Sequence, residues 1–164
     1  MLSVMLLIAC GDPGPVFFRQ VRVGRHGAPF GMYKFRSMVV DAERRGGHAT
    51  ADGDPRITRV GAFIRRTSLD ELPQLINVLA GDMSLVGPRP DVPAQQADYS
   101  LHEWQLRCAV KPGITGLAQA TTRSAATQQE RTAMDLRYVS EASMALDLKI
   151  IGMTIKQVLG KGGN

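Results

Sequence analysis

Aromatic side chains make up only 5% of this chain, and it has two cysteines. Its one strongly apolar run, from Met1 to Cys10, stops at Gly11-Asp12-Pro13-Gly14-Pro15. Each scarcity excludes something. A run of about ten residues cannot cross a bilayer as a helix, which takes roughly twenty. With no basic residue at its start and no clear cleavage site beyond Ala9, it is also a poor secretory signal. A buried terminal helix and a segment dipping into one leaflet remain as readings. Cys10 and Cys108 have no metal-ligating neighbours and are too few for a disulfide scaffold. They read as reduced structural thiols in a cytosol-facing protein. The scarcity of aromatics, with no long basic helix and no finger spacing, argues against nucleic acid as the partner. What the chain does have is positive charge, 20 basic against 15 acidic residues for a net +5. That suits a phosphate-rich partner such as a nucleotide sugar or an anionic lipid surface. At 164 residues and 44% hydrophobic content it can bury one ordinary core, so a single domain is expected.

The stretch from Arg65 to Pro90 is the most informative. Arg65-Arg66-Thr67-Ser68-Leu69-Asp70-Glu71-Leu72-Pro73-Gln74 puts two adjacent carboxylates between a pair of arginines and an apolar helical pattern. Leu72, Leu75, Ile76 and Leu79 recur at i, i+3, i+4 and i+7, one face of a helix, and Gly81 is a natural stop. Pro73 would break a helix begun at Ser68. It is tolerated if the helix starts near Asp70, which puts Asp70 and Glu71 at a helix N-terminus or a proline kink. One explanation of acids there is capping, since Ser68 and Glu71 have the spacing of a capping box. The other is chemical. Lys34, Arg36, Arg65, Arg66 and Arg89 lie in Gly- and Pro-rich segments able to close around an anion. Acids that hold a metal or attack phosphorus, together with several guanidinium groups, form a phosphoryl-transfer set.

Around this stretch, residues 16–38 read as short strands with a turn at 24–27. In the strand over 30–38, Lys34 and Arg36 share one face and Tyr33 and Phe35 the other. A short helix is expected within 39–46, and a polar surface loop over 48–55 carrying His48, Asp52 and Asp54. Val60, Phe63 and Ile64 give a helical apolar face leading into the central motif. Residues 94–107 form one helix anchored by Tyr99 and Trp104, and 117–120 a short strand. Thr127 and Glu130 make a second capping box, opening a helix to about Ser140. A closing helix over 146–159 carries Leu148, Ile151, Ile155 and Val158 on a stripe expected to pack on the core, and residues 161–164 form a disordered tail.

Several motifs together resemble a known family. They are Phe17-Phe18-Arg19-Gln20-x-Arg22-Val23-Gly24, Tyr33-Lys34-Phe35-Arg36-Ser37-Met38, Asp54-Pro55-Arg56-Ile57-Thr58-Arg59-Val60-Gly61 and Thr67-Ser68-Leu69-Asp70-Glu71-Leu72-Pro73-Gln74. Gly81-Asp82-Met83-Ser84-Leu85-Val86-Gly87-Pro88-Arg89-Pro90 and Lys111-Pro112-Gly113-Ile114-Thr115-Gly116 complete the set. In this order they resemble the bacterial sugar transferases, the small monotopic phosphoglycosyl transferases that initiate exopolysaccharide, lipopolysaccharide O-antigen and glycoprotein glycan assembly.

The resemblance implies a helix-rich α+β single domain with a small β-sheet. Relatives carry a longer N-terminal re-entrant membrane hairpin, of which residues 1–10 look like the second half. A shortened membrane-associated helix over 1–10, a catalytic domain over 11–160 and the tail over 161–164 are therefore expected. The implied reaction moves a sugar 1-phosphate from a UDP-sugar to polyprenyl (undecaprenyl) phosphate and releases UMP. Asp70 would be the nucleophile of a covalent phosphosugar intermediate, Glu71 would complete the dyad, and Mg²⁺ would be held by both. Lys34, Arg36 and Arg65 would contact phosphate, with Pro88 and Arg89 on the nucleotide side. The implied location is the inner leaflet of the cytoplasmic membrane, facing the cytoplasm, with no nucleic acid and with a homodimer left open. The alternative is a truncated, non-catalytic paralogue that binds UDP-sugar or a partner protein.

Overall fold

The computed structural model describes residues 1–46, 50–51, 53–122 and 126–160. The expectations for His48, Asp52 and the tail over 161–164 fall outside them. The architecture is α+β, with helices packed around a pair of two-stranded sheets.

The first helix, α1 (Leu2–Gly11), buries Val4 and Ile8, one turn apart, against Phe35 and Ile64. Leu2, Leu6 and Leu7 remain exposed. Among the described residues no helix is long and apolar enough to cross a membrane. Strands β1 (Phe17–Val23) and β2 (Pro29–Phe35) form an antiparallel hairpin with Phe17 opposite Phe35 and Val23 opposite Pro29. Met32 and Phe35 of β2 are buried. A short α2 (Ala42–Arg45) follows, then α3 (Arg59–Arg66). Thr58 caps α3 by accepting from the Gly61 N–H at 2.9 Å, and Ile64 is fully buried.

Helix α4 (Gln74–Ala80) turns its polar face inward: Gln74 and Asn77 are buried, while Leu75, Ile76 and Leu79 are exposed. The reason is the free edge of β2, whose backbone groups need partners. Asn77 Oδ1 accepts from the Tyr33 N–H at 3.0 Å, and Asn77 Nδ2 donates to the Gly31 carbonyl at 2.9 Å. An amide serves that edge and a leucine cannot, so hydrogen-bond demand overrides the apolar pattern.

The second half is built on a parallel pair, β3 (Ser84–Val86) and β4 (Gly113–Thr115), with Ser84 opposite Gly113 and Val86 opposite Thr115. Residues 94–107 are not one helix. A 3₁₀ segment (Pro93–Asp98) ends at an extended Tyr99, and Ser100 and Glu103 then cap each other's backbone to open α5 (Leu101–Arg107). Residues 117–120 are helical rather than a strand, within α6 (Leu117–Thr122), where Thr121 and Thr122 donate to carbonyls one turn back. The second capping box forms as read: Thr127 and Glu130 open α7 (Gln128–Glu141). Finally α8 (Met144–Gly160) buries Ile150, while Leu148, Ile155 and Val158 of its apolar stripe stay exposed. Val86, Ala120, Tyr138 and Ile150 form the core of this half.

The α4 inversion gives opposite outcomes for two neighbouring substitutions. Asn77→Ala strips side-chain partners from two half-buried backbone groups of β2 and should cost about 1–2 kcal/mol. Leu79→Ser, at a position 89% exposed, should change stability by no more than about 0.5 kcal/mol. Urea unfolding midpoints of the two variants measure both.

Candidate active site

The two halves face each other across a cavity of about 780 Å³. Asp70 and Glu71 reach it from a 3₁₀ turn (Leu69–Glu71) wedged between α3 and α4. Ser68 enters that turn in the left-handed region, at φ 56° and ψ 17°, and makes no capping bond. The capping-box spacing of Ser68 and Glu71 is therefore not used as a cap. Pro73 sits at the junction into α4, where its missing N–H costs nothing. The pair of acids thus lies before a proline kink, ahead of the apolar helix.

Glu71 is clamped. Its Oε1 accepts from Lys34 Nζ on β2 at 3.1 Å and from Arg89 Nη2, on the loop after β3, at 2.7 Å. Burial would raise its pKa, but the charges of Arg89 and Lys34 and their hydrogen bonds outweigh that and hold the carboxyl well below its usual range. Asp70 is treated differently. It is buried to 7% exposure, and among the described residues its carboxylate has no hydrogen bond or ion pair. Burial pushes its pKa up against the pull of Lys34, and the neighbouring Glu71 charge pushes the same way. Arg65, from the last turn of α3, also lines the cavity, and its buried Nη1 has no protein partner. Lys34, Arg65, Asp70, Glu71 and Arg89 therefore share one cavity. The result is a site where one acid is neutralised and its neighbour is left with unspent electrostatic attraction around it.

Arg36 and Pro88 do not join them. The strand ends at Phe35, so the alternation that put Arg36 beside Lys34 is lost. Arg36 is buried and donates instead to the carbonyls of Asp12 and Pro13, fixing the turn after α1. Pro88 is buried behind the cavity wall, its carbonyl accepting from the Gly113 N–H at 3.0 Å.

Divalent-ion binding can be judged from the donor set. Among the described residues no cluster of three or more potential ligands exists. Mg²⁺ normally takes one or two protein carboxylates and completes its shell with phosphate and water. The unpartnered carboxylate of Asp70 and the second oxygen of Glu71 fit that demand.

A second charged group, which no sequence motif marks, lies behind the loop of Arg89. Arg107, at the end of α5, is buried and donates through Nε to Asp135 Oδ2 on α7 at 2.9 Å and through Nη1 to Asp91 Oδ2. Its Nη2 donates to the backbone carbonyl of Arg89. Tyr99 covers the guanidinium 5.3 Å from its ring centre and donates to Asp91 at 2.8 Å. The available signal was the stripe Thr132, Asp135 and Tyr138, all buried on α7: an acid on such a stripe needs a cation opposite. Part of the wall is apolar, with Leu72 from the turn before α4, Leu75 from α4, Leu85 and Ile114 from the parallel strands, and Ile155 and Val158 from α8. Leu75 of the α4 face, and Ile155 and Val158 of the α8 stripe expected to pack on the core, thus line this cavity.

Comparison with known proteins agrees in direction. The bacterial sugar transferase family matches residues 1–161. The chain is 45% identical over 159 residues to the UDP-glucose:undecaprenyl-phosphate glucose-1-phosphate transferase of Escherichia coli K12, covering 93% of the chain and 34% of that protein. It is 44% identical over 173 residues to the exopolysaccharide production protein PSS of Rhizobium leguminosarum, covering 99% of the chain and 86% of that protein. It is 43% identical over 164 residues to the UDP-N-acetylgalactosamine-undecaprenyl-phosphate N-acetylgalactosaminephosphotransferase of Aeromonas hydrophila, covering 97% and 39%. The chain thus spans only about a third of the E. coli relative.

Two outcomes follow from the electrostatics. A carboxyl whose native pKa is raised is a cost to the folded state once ionised. Asp70→Asn should therefore raise the melting temperature at pH 7, and the advantage should shrink as pH falls through the raised native pKa toward the ordinary value near 4. Melting curves from pH 7 to pH 4 measure it. Arg107→Ala, which leaves Asp91 and Asp135 buried without their cation, should cost about 3 kcal/mol in denaturant unfolding.

Proposed function

Because the chain belongs to the bacterial sugar transferase family, we propose that it transfers a sugar 1-phosphate from a UDP-sugar to polyprenyl phosphate, with Asp70 as nucleophile. The observation that carries this reading is the contrast between adjacent acids: Glu71 is consumed by Lys34 and Arg89, while Asp70, among the described residues, has no hydrogen-bond partner in the same cavity.

In the first step an Asp70 carboxylate oxygen attacks the sugar-bearing phosphorus of the UDP-sugar. A bond from oxygen to phosphorus forms, the bond to the bridging oxygen breaks, and UMP leaves with the electron pair. In the second step a phosphate oxygen of the lipid carrier attacks the same phosphorus, and Asp70 departs as a carboxylate. A carboxylate is a weak nucleophile, and splitting one difficult transfer into two easier ones is what covalent catalysis offers. Lys34, Arg65 and Arg89 would receive the charge that builds on the phosphoryl oxygens in both steps. They also favour the ionised form of Asp70 against its burial. Mg²⁺, when bound by Asp70 and Glu71 together with the diphosphate, would supply further neutralisation of that charge.

The apolar wall suits the other substrate. Leu72, Leu75, Ile155 and Val158 line the same cavity as the acids, and Leu79 of α4 and Leu148 and Leu159 of α8 are exposed, features compatible with an isoprenoid chain and a lipid interface. On this reading the protein works at the inner face of the cytoplasmic membrane. The relatives' names span UDP-glucose and UDP-N-acetylgalactosamine, so the sugar is to be found by assay.

UMP release from a panel of UDP-sugars, with undecaprenyl phosphate and Mg²⁺ present, tests the proposal. One UDP-sugar should support turnover, and Asp70→Asn should lose at least about a thousand-fold in kcat while remaining folded. Sugar-phosphate transfer by purified Asp70→Asn at an undiminished rate would sink the assignment.

A further inference from the structure

Within the cavity, buried polar atoms without a partner among the described residues fall into chemically distinct kinds: Arg65 Nη1, both amide atoms of Gln119, and Asp135 Oδ1. The cationic one, beside the dyad, belongs with phosphate. The other two do not. A phosphate dianion offers only acceptors, so it could satisfy Gln119 Nε2 but would leave Gln119 Oε1 and Asp135 Oδ1 facing further lone pairs. Those atoms need a ligand that carries its own donors.

The placement of Gln119 makes its amide a deliberate feature. Parallel strands β3 and β4 diverge at their carboxyl ends into the loop of Arg89 on one side and α6 on the other, and ligands of parallel sheets bind in such a crevice. Gln119 sits in the first turn of α6, packed over Gly116: a Cβ on Gly116 would stand 2.6 Å from Gln119 Oε1. Neighbouring polar groups are already engaged. Thr115 and Thr154 pair through their hydroxyls at 2.7 Å, and Gln157 Nε2 donates to the Ala120 carbonyl at 2.6 Å. An amide held out of water with neither end satisfied weakens the free protein, so it marks a place where a ligand completes the bonding.

We infer that Gln119, with Asp135 lining the same cavity, recognises the neutral part of the nucleotide sugar through an adjacent donor–acceptor pair. This rests on the proposed function above. Two parts of such a substrate present that chemistry: the imide edge of uracil, N3–H next to a carbonyl, and vicinal hydroxyls of the hexose. The diphosphate would then lie at the end of the cavity with Arg65 and Arg89, and the neutral ring toward α6 and α7.

The test uses the full chain with Mg²⁺ and follows binding of three probes by calorimetry: the UDP-sugar that supports most UMP release, UDP, and pyrophosphate. The variants are Gln119→Met, which keeps length and removes both polar atoms, and Gln119→Glu, which keeps acceptors and removes the donor. Both should bind the UDP-sugar about ten-fold more weakly and pyrophosphate as the wild type does. Equal weakening toward UDP assigns the contact to uracil, and unchanged UDP binding assigns it to the sugar hydroxyls. Gln119→Met should also melt at a higher temperature than the wild type without ligand, a gain that a purely structural role would not give. Wild-type affinity of both variants for UDP-sugar and UDP overturns the inference, as does a parallel loss of pyrophosphate binding in both. Failure of the wild type to bind any probe overturns the proposed function itself, and this inference with it.

Discussion

The site depends on one ionic clamp. Glu71 is gripped from β2 by Lys34 and from the loop after β3 by Arg89, so a single carboxylate lining the cavity ties the two halves of the chain together. The clamp has two effects. It spends Glu71, whose pKa falls despite burial, and it leaves Asp70 as the acid with attraction around it but no bond. Two identical functional groups, adjacent in sequence, are given different roles by what each can reach.

Arg89 can serve this clamp because its backbone is held from behind. Arg107 donates to the Arg89 carbonyl while lying between Asp91 and Asp135, and Arg22 donates to the Pro90 carbonyl at 2.9 Å. A buried cation between two acids is a costly arrangement to desolvate, and its use here is geometric: it fixes a loop with little regular structure of its own. The route from α7 through Arg107 to Arg89 and Glu71 is a chain of direct contacts.

The apolar surface follows a related logic. Periodicity marks α4 and α8 as amphipathic, yet their leucines and isoleucines turn partly into the cavity and partly outward. On α4 the inward face is reserved for Asn77, which completes the edge of β2. On α8 the core takes Ile150 fully, with Leu146, Ile151 and Met153 packed half-buried against it. An amphipathic helix read from sequence shows that one face avoids water, and it does not show what that face meets.

The sequence by itself determined much of the local order: the hairpin around residues 24–27, the capping box at Thr127 and Glu130, and the proline break after Asp70 and Glu71. These are decided by φ preferences, missing donors and side chains three residues apart. It also carried the motifs by which the family is identified. Tertiary structure alone decided which groups meet. Arg36 leaves the site because β2 stops one residue before it, Pro88 packs behind the wall, and Arg107 finds Asp91 and Asp135 across 16 and 28 residues of chain. Such pairings are set by where the backbone turns and which buried polar atoms must be satisfied, and neither quantity has a period that a linear pattern could reveal.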